Sequence, residues 1–133
     1  MEKFDVVIIG AGVIGAMVAR EASKYTKSVA IIEKESDVAM GASGANSAIV
    51  HAGFDAKEGS LKARFNVEGS RMMKKTAQEL GVKYKQNGSL VCAFDEEGLC
   101  EIEALLKRGK KNGVEGLETI GRDEVLKKEP NLS

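Results

Sequence analysis

The hydrophobic positions change period along the chain, and each change predicts an element. Val6-Val7-Ile8-Ile9 is a continuous β-branched run. Such a run reads as a strand buried on both faces, as in parallel sheets. Helical spacing begins at Val13. Ile14, Val18 and Ala22 share one face of a helix predicted over Val13 to Lys24, directed at the sheet. Tyr25-Thr26-Lys27 carries the turn, and Lys24 and Lys27 suit a helix C-terminus. Ser28-Val29-Ala30-Ile31-Ile32 reads as a second strand, ended by Glu33. From Lys34 to Gly59 no period of useful length follows, although Ala48 to Phe54 brings apolar residues back. A connection this long inside a compact domain is usually functional or disordered. The returning apolar residues favour function: a backbone-rich surface laid along a ligand. A solvent loop with a capped helical turn is the alternative.

The second half is more regular. Ser60 is placed to cap a helix on which Leu61, Phe65, Met72, Thr76 and Leu80 mark one face, with Gly81 as the stop. Met72 is expected in the core. Lys62, Arg64, Arg71, Lys74 and Lys75 are expected on a solvated face. Val82 to Lys85 and Ser89 to Phe94 flank Gln86-Asn87-Gly88, and Asn-Gly is a strong hairpin signal. Asp95 should cap a helix running to about Lys111, acidic in its first turn and basic in its last, ended by Asn112-Gly113. Leu117 to Ile120 suggests a short strand, and Asp123 to Lys128 a short helix stopped ahead of Pro130.

Between the first strand and its helix lies the candidate chemistry. Gly10, Gly12 and Gly15 have the spacing G-x-G-x-x-G. In the context strand, glycine turn, helix, this motif means dinucleotide binding. Gly10 turns the chain off the strand, Gly12 lets a pyrophosphate approach the backbone, and Gly15 lets the helix pack close to the sheet. The pyrophosphate would rest on free N–H groups at the positive end of the helix. Alone the motif is weak. Glu33 strengthens it, since an acid ending the next strand about 20 residues on can accept from ribose hydroxyls. A signal peptide is the competing reading of Val6 to Ala19. Asp5, the glycine spacing and the shortness of the run argue against it. In the long connection, Ser43, Asn46 and Ser47 offer short side-chain partners for phosphate or sugar oxygens.

Composition narrows the partners. The chain has 133 residues, with 20 basic and 20 acidic side chains and no net charge. That balance supports neither nucleic acid nor an anionic membrane as partner. Cys92 and Cys100 fit no metal spacing and no redox motif, so no metal site is expected and a reducing cytoplasm is the default compartment. No run is long enough for a transmembrane segment. A two-stranded parallel sheet cannot bury itself. These residues therefore read as the N-terminal part of a larger protein, with an exposed sheet edge that favours self-association. The expected division is an incomplete dinucleotide-binding domain over 1–81 and the start of a second domain over 82–133.

The residues also carry a resemblance. Gly10-Ala11-Gly12-Val13-Ile14-Gly15, Glu33-Lys34, Ser43-Gly44-Ala45-Asn46-Ser47-Ala48-Ile49-Val50-His51-Ala52-Gly53 and Gly59-Ser60-Leu61-Lys62-Ala63 resemble the FAD-dependent oxidoreductases of the D-amino-acid oxidase-like superfamily. The similarity is strongest to L-2-hydroxyglutarate oxidases and anaerobic-type glycerol-3-phosphate dehydrogenases. It implies an α/β fold: part of a Rossmann-like FAD-binding domain, followed by the start of an α+β substrate domain. It implies FAD as cofactor, with Glu33 on the adenosine ribose, Gly12, Val13 and Ile14 at the pyrophosphate, and Lys34 among the cofactor-binding residues. Ser43, Asn46 and Ser47 would line the cofactor's middle. His51-Ala52-Gly53 would approach the flavin ring, which makes His51, the sole histidine, a candidate for proton handling or flavin contact. Phe54-Asp55-Ala56 departs from the tyrosine-rich stretch many hydroxyglutarate oxidases have there. The implied reaction is hydride transfer from a small anionic hydroxy substrate to flavin, with these residues alone inactive. An amine oxidase of the same superfamily and a non-catalytic dinucleotide-binding module remain as alternatives.

Overall fold

The structure is a computed structural model that describes residues 2–25 and 28–132, so Thr26 and Lys27 of the expected turn lie outside the described residues. The chain divides into two compact units, Met1–Ile49 and Val50–Ser133. The long central helix thus groups with the residues that follow it.

The first unit is one βαβ turn of fold. Strand β1 (Val6–Ile9) and strand β2 (Val29–Ile32) pair in parallel, with Val6 opposite Val29 and Ile9 opposite Ile32. Helix α1 (Val13–Ala22) crosses between them and ends two residues before the predicted Lys24. The two strand starts are tied together. Asp5 Oδ2 accepts from the Ser28 N–H at 3.0 Å and from the Ser28 hydroxyl at 2.7 Å, and Ser28 Oγ accepts from the Asp5 N–H at 3.0 Å.

Two expectations about burial need correction here. β1 alternates, with Val6 and Ile8 partly covered and Val7 and Ile9 exposed, Ile9 at 87%. A parallel strand is buried on both faces only when helices cover both, and α1 covers one. The inner face of α1 is also shifted. Gly15, Ala19 and Ala22 are its partly covered small residues, while Ile14 is 79% exposed and Val18 is exposed as well. Small residues at these positions let the helix axis approach the strands, and Met17 and Arg20 are partly covered as well. A Cβ on Gly15 would fall directly on the Gly10 carbonyl oxygen and 3.4 Å from Ile8 Cγ2.

The second unit is built on α2 (Leu61–Glu79) and α3 (Glu96–Asn112), followed by α4 (Arg122–Lys128). Their ends follow local chemistry. Ser60 Oγ accepts from the Ala63 N–H, and Asp95 Oδ1 from the Gly98 N–H, at 3.1 and 2.8 Å. Gly113 closes α3 in the left-handed conformation, at φ 82°. The buried face of α2 is again the small one, Ala63, Val67 and Ala77. The predicted stripe is not inside: Leu61, Phe65 and Leu80 are exposed, and Met72, expected in the core, is 64% exposed. Arg71 lies on the exposed face expected of it, and from there it donates to the Gly113 carbonyl at 3.0 Å and to Glu115 at 2.7 Å, linking α2 to the end of α3.

No strand forms in 82–94 or 117–120 among the described residues. Gly88 has the positive φ a turn requires, 75°, but an isolated two-stranded hairpin is marginal without a third strand or a covering face.

Candidate functional site

β1 ends at Ile9, and the chain turns at Gly10, whose φ of 101° suits glycine alone. The turn is pinned to the second strand: the Gly10 N–H donates to the Ile32 carbonyl at 2.7 Å. Ala11, buried in the turn, points its N–H at Glu33 Oε2, 2.6 Å away. The other Glu33 oxygen accepts from the N–H groups of Lys34 and Glu35 at 2.8 and 3.0 Å. The glycine turn and the acid that ends β2 are thus one hydrogen-bonded assembly. The Ala11 N–H first, and the Glu35 N–H next, hold the Glu33 carboxyl below the usual carboxylate range. Glu33 is therefore an anion that only accepts, and its oxygens retain lone pairs for hydroxyl donors.

The connection after β2 folds back over the same turn. The Ala39 N–H donates to the Ala11 carbonyl at 3.1 Å, and Ala39 adopts a positive φ of 58°, unusual for a residue with a side chain. Gly44 permits this fold, since a Cβ there would lie 2.5 Å from the Ala39 carbonyl oxygen. Ser43 is thereby delivered to the start of α1, where its Oγ accepts from the Val13 N–H at 2.8 Å. Gly12 sits under it: a Cβ there would come 3.1 Å from Ser43 Oγ. The first N–H groups of a helix have no partner within it. The ladder of α1 opens with Ala16 donating to the Gly12 carbonyl at 3.0 Å, so Ile14 and Gly15 carry the remaining donors of that end. The Ser43 hydroxyl proton adds one more.

These parts line a cleft of about 550 Å³ formed by Ile9, Gly10, Gly12, Ile32, Glu33, Lys34, Glu35 and 39–43. Of the residues singled out in the sequence, Gly10, Gly12, Glu33, Lys34 and Ser43 line it, while Val13, Ile14 and Gly15 form the helix turn at its end. Lys34 is exposed and pairs with Glu35 at 3.2 Å. Asn46 is used by its own loop: Nδ2 donates to the Ser43 carbonyl at 2.6 Å, and Oδ1 accepts from the Ala48 N–H at 2.7 Å. It holds Ser43 rather than lining the cleft. Ser47 is exposed outside the lining. His51 is exposed and belongs to the second unit. Glu35 and residues 39–42 fall in the connection read as a ligand surface but were not singled out, and neither were Ile9 and Ile32. Gly41 stood in a visible glycine-rich run, whereas nothing local marks the left-handed backbone of Ala39. Among the described residues no group of acidic, histidine and cysteine side chains could hold a metal, and no helix is long and apolar enough to cross a membrane.

The cleft fits a dinucleotide: anion donors at a helix start, a glycine where a Cβ would obstruct, and a fixed carboxylate one strand away. A parallel βαβ unit with these parts defines a dinucleotide-binding domain. The chain belongs to the DAO family of FAD dependent oxidoreductases, which matches residues 5–133.

Similarity to individual proteins agrees. The chain is 49% identical to a glycerol 3-phosphate dehydrogenase of Caloramator mitchellensis over 98% of its own length and 27% of that protein. It is 38% identical to the mitochondrial L-2-hydroxyglutarate dehydrogenase of Homo sapiens, over 96% of this chain and 28% of that one. In three dimensions it resembles dithionite-reduced L-α-glycerophosphate oxidase from Mycoplasma pneumoniae with FAD bound. The TM-score is 0.80 at 32% identity, covering 98% of this chain and 35% of that one. The chain thus spans about a third or less of these relatives.

Proposed function

We propose that these residues supply the adenosine and pyrophosphate part of an FAD site in an enzyme that oxidises a small anionic alcohol. The observation that carries the reading is the bond from the Ala11 N–H to Glu33, which fixes the acid and the glycine turn in one geometry. Glu33 accepts from the ribose hydroxyls. The α1 N-terminus, extended by the Ser43 hydroxyl, donates to the phosphates, and the missing Cβ of Gly12 leaves room for them. FAD, once bound, supplies the acceptor for a hydride leaving the C–H beside the hydroxyl. The hydroxyl proton must also leave as the carbonyl forms. His51, at the position the family resemblance assigns to flavin contact, is the candidate that takes it.

The similarity to glycerol 3-phosphate and L-2-hydroxyglutarate dehydrogenases supports a substrate that pairs a secondary alcohol with an anionic group. The greater identity to the former favours glycerol 3-phosphate. The test is anaerobic titration of the whole purified flavoprotein with each compound. Bleaching of the long-wavelength flavin band by glycerol 3-phosphate supports the reading. Reduction by an amino acid instead would make it an amine oxidase, and a bound flavin that none of them reduces would make it a binding module.

A further inference from the structure

The turn that follows His51 is held from two sides within its own unit. Gly53, buried with a φ of 102°, lies against α2: a Cβ there would stand 2.9 Å from Val67 Cγ2 and 3.2 Å from Asn66 Cβ. On the other side comes the last turn of α3. Gly109 is buried, and a Cβ on it would meet Leu117 Cδ1 and stand 2.9 Å from Phe54 Cβ. Between these two close approaches sits Asn112. Its Nδ2 donates to the Gly53 carbonyl at 2.9 Å and to the Ala56 carbonyl at 2.8 Å, both bonds partly buried. Arg108 adds a longer bond to the Asp55 carbonyl, and Lys111 pairs with Glu58.

One amide group therefore joins both ends of the 53–56 turn. An amide is suited to this because its two N–H bonds diverge and each finds a carbonyl. The backbone fixed at Gly53 lies two residues from His51, so Asn112, together with the packing of Gly53 on α2, anchors the end of the His51-Ala52-Gly53 segment. From the sequence, Asn112-Gly113 reads only as a helix stop. We propose that Asn112 is a positioning residue for the oxidation: it holds the backbone that presents His51, and so acts through a side chain it does not touch. This rests on the role given to His51 above.

The test uses the whole flavoprotein carrying Asn112→Ala, His51→Gln, and both together, with glycerol 3-phosphate as substrate. Misplacing a reacting group by about an ångström costs up to about 100-fold in rate. Asn112→Ala should accordingly lower kcat by roughly 10- to 100-fold, with flavin content retained and KM changed far less than kcat. On the His51→Gln background it should cost little more, because both changes remove the same positioned group. Asn112→Ser, which can satisfy one carbonyl and not two, should fall between; it also serves if the alanine variant does not fold. Wild-type kcat in the Asn112 variants beside an impaired His51→Gln overturns the proposal alone, as does a loss that multiplies in full in the double variant. Wild-type kcat in His51→Gln removes the role of His51, and this proposal with it.

Discussion

Gly15→Ala sets two effects of known size against each other. In a helix interior alanine is favoured over glycine by about 1 kcal/mol, an upper bound for Gly15 in the first turn of α1. Taken as an isolated helix, α1 should gain from the change. In the folded unit the added Cβ falls on the Gly10 carbonyl oxygen, with the Gly10 carbonyl carbon 3.1 Å away. This neighbour cannot yield as a side chain would, because the Gly10 N–H is bonded to Ile32 at 2.7 Å and the turn is pinned to β2. The helix must withdraw instead. Overpacking of this kind costs about 1–3 kcal/mol, and rigid backbone puts it towards the upper end. The net expectation is a loss of about 1–2 kcal/mol, or a fall in Tm of about 2–8 °C for a chain of a few hundred residues. Withdrawal also carries the Val13 N–H away from Ser43, so FAD should be lost on dilution before the protein unfolds. The assay pairs a thermal melt of the whole protein with flavin retention after gel filtration. A Tm equal to or above wild type, with full flavin, would mean that helix propensity wins and that the close approach of α1 to the turn is not what Gly15 provides.

Gly12→Val should abolish FAD binding with little change in far-UV circular dichroism, since its side chain enters the space over the helix start; an active, flavin-replete variant would place the phosphates elsewhere. The Glu33 carboxyl titrates below its unfolded value, so its contribution is present above that value and fades as pH falls through the lower folded one. Glu33→Gln should therefore flatten the acid limb of flavin retention below about pH 4, and superimposable acid limbs in the two proteins would refute this. Ser28→Ala removes both hydroxyl bonds that tie the strand starts; at an exposed site the expected cost is about 1 kcal/mol, read as a lower urea midpoint at unchanged slope, and an unchanged midpoint would show the tie to be idle.

What the sequence determined by itself is what depends on neighbours within a few residues. The limits of β1, the caps Ser60 and Asp95, and the glycine stop after Asn112 follow from side chains meeting N–H groups three residues on, or from a φ that glycine tolerates. The glycine spacing and Glu33 were legible because the turn, the crossover helix and the next strand have nearly fixed lengths. Tertiary structure alone decided which faces go inside. The large apolar residues Ile14, Val18, Phe65 and Met72 gave way to Gly15, Ala19, Ala63 and Ala77. Periodicity reports hydrophobicity, whereas close packing against a glycine turn or a second helix selects for small size. The Asn-Gly hairpin signal failed for a related reason, because strand pairing draws its stability from a third strand or a covering face rather than from the turn. The bond from Ala11 to Glu33 and the two bonds of Asn112 join residues 22 to 59 positions apart. Nothing local encodes them; they exist because the folded backbone brings orphan N–H and carbonyl groups within reach of those side chains.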